Sequence, residues 1–179
     1  MTVVIPALAT DRLNLRHWQR QDFEPLAAFL ADGHANRYRG PARALSLSES
    51  WNYLCETIGQ WQLRGYGIFA IEQRATGVLA GWSGLWHPIE LPEPELAWTL
   101  FPSAQGKGLA TEAARCVQHW AARDLQLPSL FSFVHPQNKP SRRLAERLGA
   151  VIEKETEFRS QPRLVYRHVL GGSAEPLKS

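Results

Sequence analysis

A chain of 179 residues fits a single domain and can bury one sizeable core without disulfide or metal staples. Its 44% hydrophobic and 21% charged residues are those of an ordinary soluble globular protein, and it lacks the long apolar run that a membrane span requires. A net charge of +3, without long Lys/Arg stripes, argues against a nucleic-acid or membrane partner but suits an anionic ligand.

Met1–Asp11 has no basic start and is broken by Pro6, so it does not read as a signal peptide, and a cytoplasmic protein is expected. Leu13–Trp18 alternates apolar and polar residues and predicts a first strand. Asp22 is placed to cap a helix carrying Phe23, Leu26, Ala27 and Leu30, and Gly33–Arg43 reads as a loop. Ser46-Leu-Ser-Glu49 opens a second helix whose apolar face would hold Trp51, Leu54, Cys55, Ile58 and Trp61, closed by Gly65. Tyr66–Glu72 is apolar on both faces, as in a central strand, and Arg74–Gly77 turns it into Val78–Trp86. His87–Pro94, with three prolines, predicts a loop, and Glu95–Phe101 a further strand. Ala110, Ala113, Ala114, Val117, Trp120 and Ala121 then recur at helical spacing. Leu130–Val134 is a strand, Pro140–Leu148 a short helix stopped by Gly149, and Val151–Phe158 with Leu164–Leu170 a final hairpin. This makes one domain over residues 1–170, with the small polar stretch Gly171–Ser179 as a disordered tail. Seven strands and four helices in this order predict an α+β fold with a mixed, mainly antiparallel sheet.

The chemistry-bearing feature is Gln105-Gly-Lys-Gly-Leu-Ala-Thr111, between a strand and a helix. The first turn of a helix has N–H groups without intrahelical partners and a positive partial charge, and glycines let a phosphate approach the backbone. A Walker A loop is excluded, because Phe101 stands where the first glycine belongs and Gly108 where the hydroxyl belongs. A dinucleotide fingerprint fails at Thr111 and lacks an acidic residue ending the next strand. Taken alone, the turn is equally an anion cradle or an ordinary strand-to-helix turn.

A wider pattern resembles the GNAT acetyltransferase superfamily. Gln105, Gly108 and Ala110 match its Gln/Arg-x-x-Gly-x-Gly/Ala loop. The longer Gln105–Ala113 segment and the opening Thr10-Asp-Arg-Leu-Asn-Leu-Arg16 are similar to the RimJ/RimL-like branch. Val134-His-Pro-Gln-Asn138-Lys-Pro-Ser141, followed by Leu144-Ala-Glu-Arg-Leu-Gly149-Ala150, resembles the family's strand, Asn-x-x-Ser and helix block. Ala150 departs from the usual Phe, at a packing position. The resemblance spans about residues 9–170.

The resemblance implies a sheet splayed between its fourth and fifth strands, with acetyl-CoA in the gap and no metal. It places the pantetheine beside Trp98, Thr99 and Leu100, and the pyrophosphate on the backbone of Gln105, Gly106, Lys107, Gly108, Leu109, Ala110 and Thr111. Asn138 would meet the pantetheine and Arg142, with Lys139 or Arg143 beside it, the phosphates. Ser141 matches the residue that protonates the departing thiolate, and Glu95 is the candidate base, with Glu93 and His87 as rivals. The implied acceptor is a primary amine, on a small molecule or a protein N-terminus, and a homodimer is compatible with the family. The alternative is a CoA-binding regulatory module without turnover. Cys55 and Cys116 lie in no motif, which argues against a covalent acetyl-cysteine and for direct transfer in a ternary complex. Seven tryptophans, among them Trp51, Trp61, Trp82, Trp86 and Trp98, either pack the core or hold a cationic acceptor, and acidic Glu90–Glu95 would attract one.

Overall fold

The Ser46 hydroxyl accepts the Glu49 N–H while the Glu49 carboxylate accepts the Ser46 N–H, a reciprocal cap that starts the longest helix of the chain. Gly65, at φ 75°, ends it in the left-handed conformation. The computed structural model describes residues 4–40 and 42–170, so the tail expected at 171–179 lies outside the described residues. In chain order the elements are β1 (Leu8–Ala9), β2 (Leu13–Arg16), α1 (Phe23–Leu30), α2 (Leu47–Arg64), β3 (Ile68–Gln73), β4 (Leu79–Trp86) and β5 (Glu95–Leu100). They continue with α3 (Leu109–Arg123), β6 (Ser129–Val134), α4 (Lys139–Arg147), β7 (Val151–Phe158) and β8 (Gln161–Val169).

The predicted α+β class and mainly antiparallel sheet are what the fold shows. The eight strands run in the order β1-β2-β3-β4-β5-β6-β8-β7, and β5–β6 is the parallel pair among the described strands. The sequence reading lacks β1, a two-residue strand too short to carry a period. α1 and the first half of α2 cover one face of the sheet, where Leu26, Leu30 and Leu54 pack on Ile68, Ala70 and Trp82. α3 covers the other, with Ala113, Val117 and Trp120 on Leu13, Leu15, Phe69 and Ile71.

Two local readings need correction. Asp22 does not cap α1 with its side chain; the carboxylate accepts the Gln19 N–H and a bidentate pair from Arg16 at 2.7 and 2.9 Å. On α2, Trp51, Cys55 and Ile58 are exposed, and the buried face is Ser50, Leu54, Thr57, Gln60 and Trp61. Polar residues can face inward there because each has a backbone partner. The Thr57 hydroxyl donates to Leu54 O, and the Gln60 amide donates to Leu85 O and accepts the His87 N–H.

The splay positions everything that follows. β4 and β5 share six paired positions, whereas β5 and β6 share one, Glu95 with Phe131. Gly81 lets β4 lie tight on β5, since a Cβ there would stand 2.1 Å from Thr99 O. Beyond Glu95 the strands part, and a V opens towards the end of β5.

Candidate active site

The closed end of the V is fastened by side chains. Ser132 Oγ donates to Leu96 O at 2.6 Å, and the Glu95 carboxylate accepts the Phe133 N–H at 3.1 Å. Behind Ser132, His168 Nε2 stands 2.9 Å from Oγ, and Gln118 Nε2 stands 2.9 Å from His168 Nδ1. The serine proton is committed to Leu96 and the glutamine nitrogen can only donate, so His168 is neutral with its proton on Nε2. Burial, aided by Arg167, holds that histidine down at about 4.

Above this floor the backbone of β5 is open. The Phe101 N–H donates to Ala80 O, and by the alternation of an antiparallel ladder Thr99 and Ala97 also face β4. Leu96, Trp98 and Leu100 therefore face the gap. Leu96 O is taken by Ser132, and Leu100 O by the Gln105 amide at 2.9 Å. The backbone N–H and C=O of Trp98 are left facing the V, a paired donor and acceptor for an extended amide chain.

At the mouth lies the glycine turn. Gly106 and Gly108 take φ 76° and 77°, and Gly108 is the N-cap of α3. The first intrahelical bond runs from Glu112 N–H to Gly108 O, so the amides ahead of it have no helical acceptor. Lys107 Nζ folds back onto Ser103 O. The opening Thr10–Arg12 segment holds the turn from behind. Arg12 donates to Lys107 O and pairs with Glu112, which also accepts from the Thr10 hydroxyl and the Arg12 N–H. Burial opposes the Glu112 charge, but these donors outweigh it and hold the carboxyl below its usual range.

A cleft of about 400 Å³ runs down the V and brings together Glu95, Trp98, Thr99, Asn138 and Ser141. Asn138 Oδ1 caps α4 by accepting the Ser141 N–H, leaving its amide nitrogen for a ligand. Ser141 Oγ accepts from Trp98 Nε1 at 3.4 Å and keeps its own proton free to donate. Desolvation pushes the Glu95 carboxyl up to about 7, although the Phe133 N–H, Arg163, Arg159 and Arg39 all favour its charge. The other candidates lie outside this cleft: His87 sits between the Tyr66 hydroxyl and Leu91 O, and Glu93 pairs with Arg167. Arg142 turns towards the Tyr166 hydroxyl and Pro136 O, and Lys139 and Arg143 are exposed. Burial raises the Cys116 thiol, and neither cysteine lines the cleft.

The tryptophans divide. Trp61 is buried against Phe69 and Trp120, Trp51 lies outside on Phe23, and Trp82, Trp86 and Trp98 line the cleft. The cation over this aromatic wall belongs to the chain: Arg39 lies 4.9 Å from the Trp82 ring and 5.2 Å from Tyr53. The acidic loop is likewise neutralised, Glu90 by Arg159 and Glu93 by Arg167. The sequence reading did not single out Arg39, Ser132, Arg163 or His168. An arginine beside the apolar run Leu164-Val-Tyr166 was the one visible sign.

Comparison with known proteins agrees with this geometry. Residues 12–151 match the family model described as acetyltransferase (GNAT) domain. The acetyltransferase from Agrobacterium tumefaciens str. C58 is 36% identical, superposes with a TM-score of 0.82, and the match covers 94% of this chain and 96% of that one. YoaA, an uncharacterized N-acetyltransferase of Bacillus subtilis (strain 168), is 26% identical over 148 residues, 82% of this chain and 83% of its own. RimL, a ribosomal L7/L12 alpha-N-protein acetyltransferase solved with coenzyme A, shares the fold at a TM-score of 0.75 and 18% identity, covering 92% and 98%. Among the described residues no helix is long and apolar enough to cross a membrane, and no cluster of His, Cys, Asp and Glu is arranged to hold a metal.

Proposed function

We propose that this chain, which belongs to the GNAT acetyltransferase family and is an acetyl-CoA-dependent N-acetyltransferase, passes the acetyl group directly to a primary amine held in the same cleft. The observation that carries the reading is Glu95, a carboxyl raised to about 7 on the cleft wall that also presents Trp98 and Ser141. The cleft fits the co-substrate: Trp98 offers one backbone donor and one acceptor to the pantetheine amides, and the amides of Gly106–Thr111 suit a pyrophosphate at a helix start. Asn138 adds its free amide nitrogen, while Gln105 and Lys107 shape the turn through their bonds to Leu100 O and Ser103 O.

Only a neutral amine attacks a thioester. A carboxyl near 7 is matched to take a proton from an ammonium group of pKa about 8, and less well from a lysine near about 10.4. A backbone N–H of β5 facing the gap stabilises the tetrahedral oxyanion, and Ser141 gives its free proton to the departing sulfur. The likeness to RimL and the Thr10–Arg16 segment support placement near the RimJ/RimL-like branch, with a protein N-terminus or a small amine as acceptor.

Thiol release from acetyl-CoA, followed over a panel of amines, tests this. Expected are intersecting double-reciprocal plots, and in Ser141→Ala a lower turnover with acetyl-CoA affinity retained. Parallel plots would replace direct transfer by a covalent intermediate, and tight acetyl-CoA binding without turnover on any amine would favour a regulatory module.

A further inference from the structure

Four arginines line the cleft, and they differ in their partners. Arg43 is paired with Glu49, and Arg159 with Glu90 at 2.8 Å. Arg163 and Arg39 have no carboxylate within ion-pair distance among the described residues. Arg163 is 6% exposed, yet among the described residues Nη1 donates only to the carbonyls of Tyr38 and Pro162, at 3.3 and 3.4 Å. Arg39 donates to Asn36 Oδ1 and packs over the rings of Tyr53 and Trp82, which hold it at the cleft. Burying a guanidinium without an anion is costly, and stabilising when an anion arrives. Of the remaining acids of the cleft, Glu56 is on its exposed rim, and Glu95 feels the charge of Arg163 and Arg39 but stands beyond ion-pair distance of both.

We propose that the acceptor is an amine carrying its own carboxylate, with the carboxylate held by Arg163 and Arg39 and the amine delivered to Glu95. The proposal rests on the acetyltransferase reading above and narrows it. The cleft is then built for a dipole: two cationic donors stand on the same wall system as one proton-accepting carboxyl. A planar guanidinium presents two N–H groups to a carboxylate in parallel, so the anion sets the direction from which the nitrogen meets the thioester. Polycationic amines, by contrast, meet two guanidiniums that repel them.

The test compares wild-type kcat/KM for matched acceptors: free amino acids against their amides, and peptides beginning with Asp against those beginning with Asn. The first pair asks for an α-carboxylate and the second for a side-chain carboxylate. At least one acid is expected to exceed its neutral twin by about tenfold to a hundredfold. Because Arg163 also favours the charge of Glu95, wild type and variant are compared on the alkaline plateaus of their pH profiles; there Arg163→Gln should bring the ratio of acid to neutral twin towards one, through KM of the acid, with acetyl-CoA affinity retained and partial rescue by Arg163→Lys. Arg39→Gln provides a second variant should Arg163→Gln fold poorly. Neutral twins used as well as the acids, or an equal loss on both in the variants, would overturn the carboxylate proposal and leave the acetyltransferase reading intact. No thiol release from any of these amines would overturn both.

Discussion

The two ends of the V use the same kind of backbone in opposite ways. At the floor, backbone groups of both strands are consumed by side chains: Leu96 O of β5 by Ser132, and the Phe133 N–H of β6 by Glu95, with His168 and Gln118 locking the serine. At the mouth, Trp98 and the first turn of α3 keep their polar groups facing the gap, and bonds from Arg12, Thr10 and Gln105 fix the backbone from behind. The floor is satisfied internally and contributes rigidity. The mouth is preorganised but unsatisfied, so its hydrogen bonds are reserved for a ligand.

The largest effect should come from spoiling the mouth. Gly108→Glu puts a carboxylate and a strained φ at the helix start, and acetyl-CoA affinity measured by calorimetry should fall by at least about a hundredfold. Gly108→Ala, which adds strain without charge, should lose far less; equal losses would mean that the turn matters for its shape alone. Glu95 joins both ends, and Glu95→Gln should lower kcat by about a hundredfold. In the wild type kcat/KM should rise with pH through about 7, and the variant should lose that limb. A limb that survives in Glu95→Gln would assign the proton transfer elsewhere.

Breaking the floor should cost stability more than chemistry. Ser132→Ala removes the donor to Leu96 O and the acceptor of the His168 Nε2–H, and should destabilise by about 1–3 kcal/mol in a urea titration. An unchanged midpoint would show that the floor does not hold the strands together. The smallest effect is in the pH dependence. His168, depressed to about 4, stays neutral in the fold while the unfolded chain takes a proton, so its contribution is lost as pH falls below about 6.5. Glu95, raised to about 7, has the opposite sign: its folded form prefers the proton, and stability is lost as pH rises from about 4.5 through 7. Glu95→Gln should therefore be more stable than wild type at pH 8, by on the order of 2 kcal/mol, and should lose more on acidification to pH 5.

What was legible in the chain follows from how locally it is encoded. Ser46, Gly65 and Gly149 mark helix ends by chemistry that acts within a few residues, and these boundaries hold. The glycine turn and Asn138-x-x-Ser141 are also local; Asn138 and Ser141 line the cleft, while the turn follows the open end of β5, tied to it by Gln105, and does not line the cleft. The inward face of α2 was misjudged because Thr57 and Gln60 are buried only by virtue of partners, some of them more than twenty residues away. The Glu90–Glu95 loop reads in the sequence as a free acidic patch, whereas its partners Arg159 and Arg167 come from other elements. The charge of a site is a tertiary property.

The parallel pairing of β5 with β6 has a geometric consequence. Two parallel neighbours cannot be joined by a hairpin, so the chain leaving β5 must cross the sheet before entering β6, and α3 makes that crossing. The helix begins just past the tip of the strand that has lost its partner. Its amino end therefore meets the opening created by the same change of direction. Cradle and gap are two products of a single turn in the path of the chain, and neither can be moved along the sheet without the other.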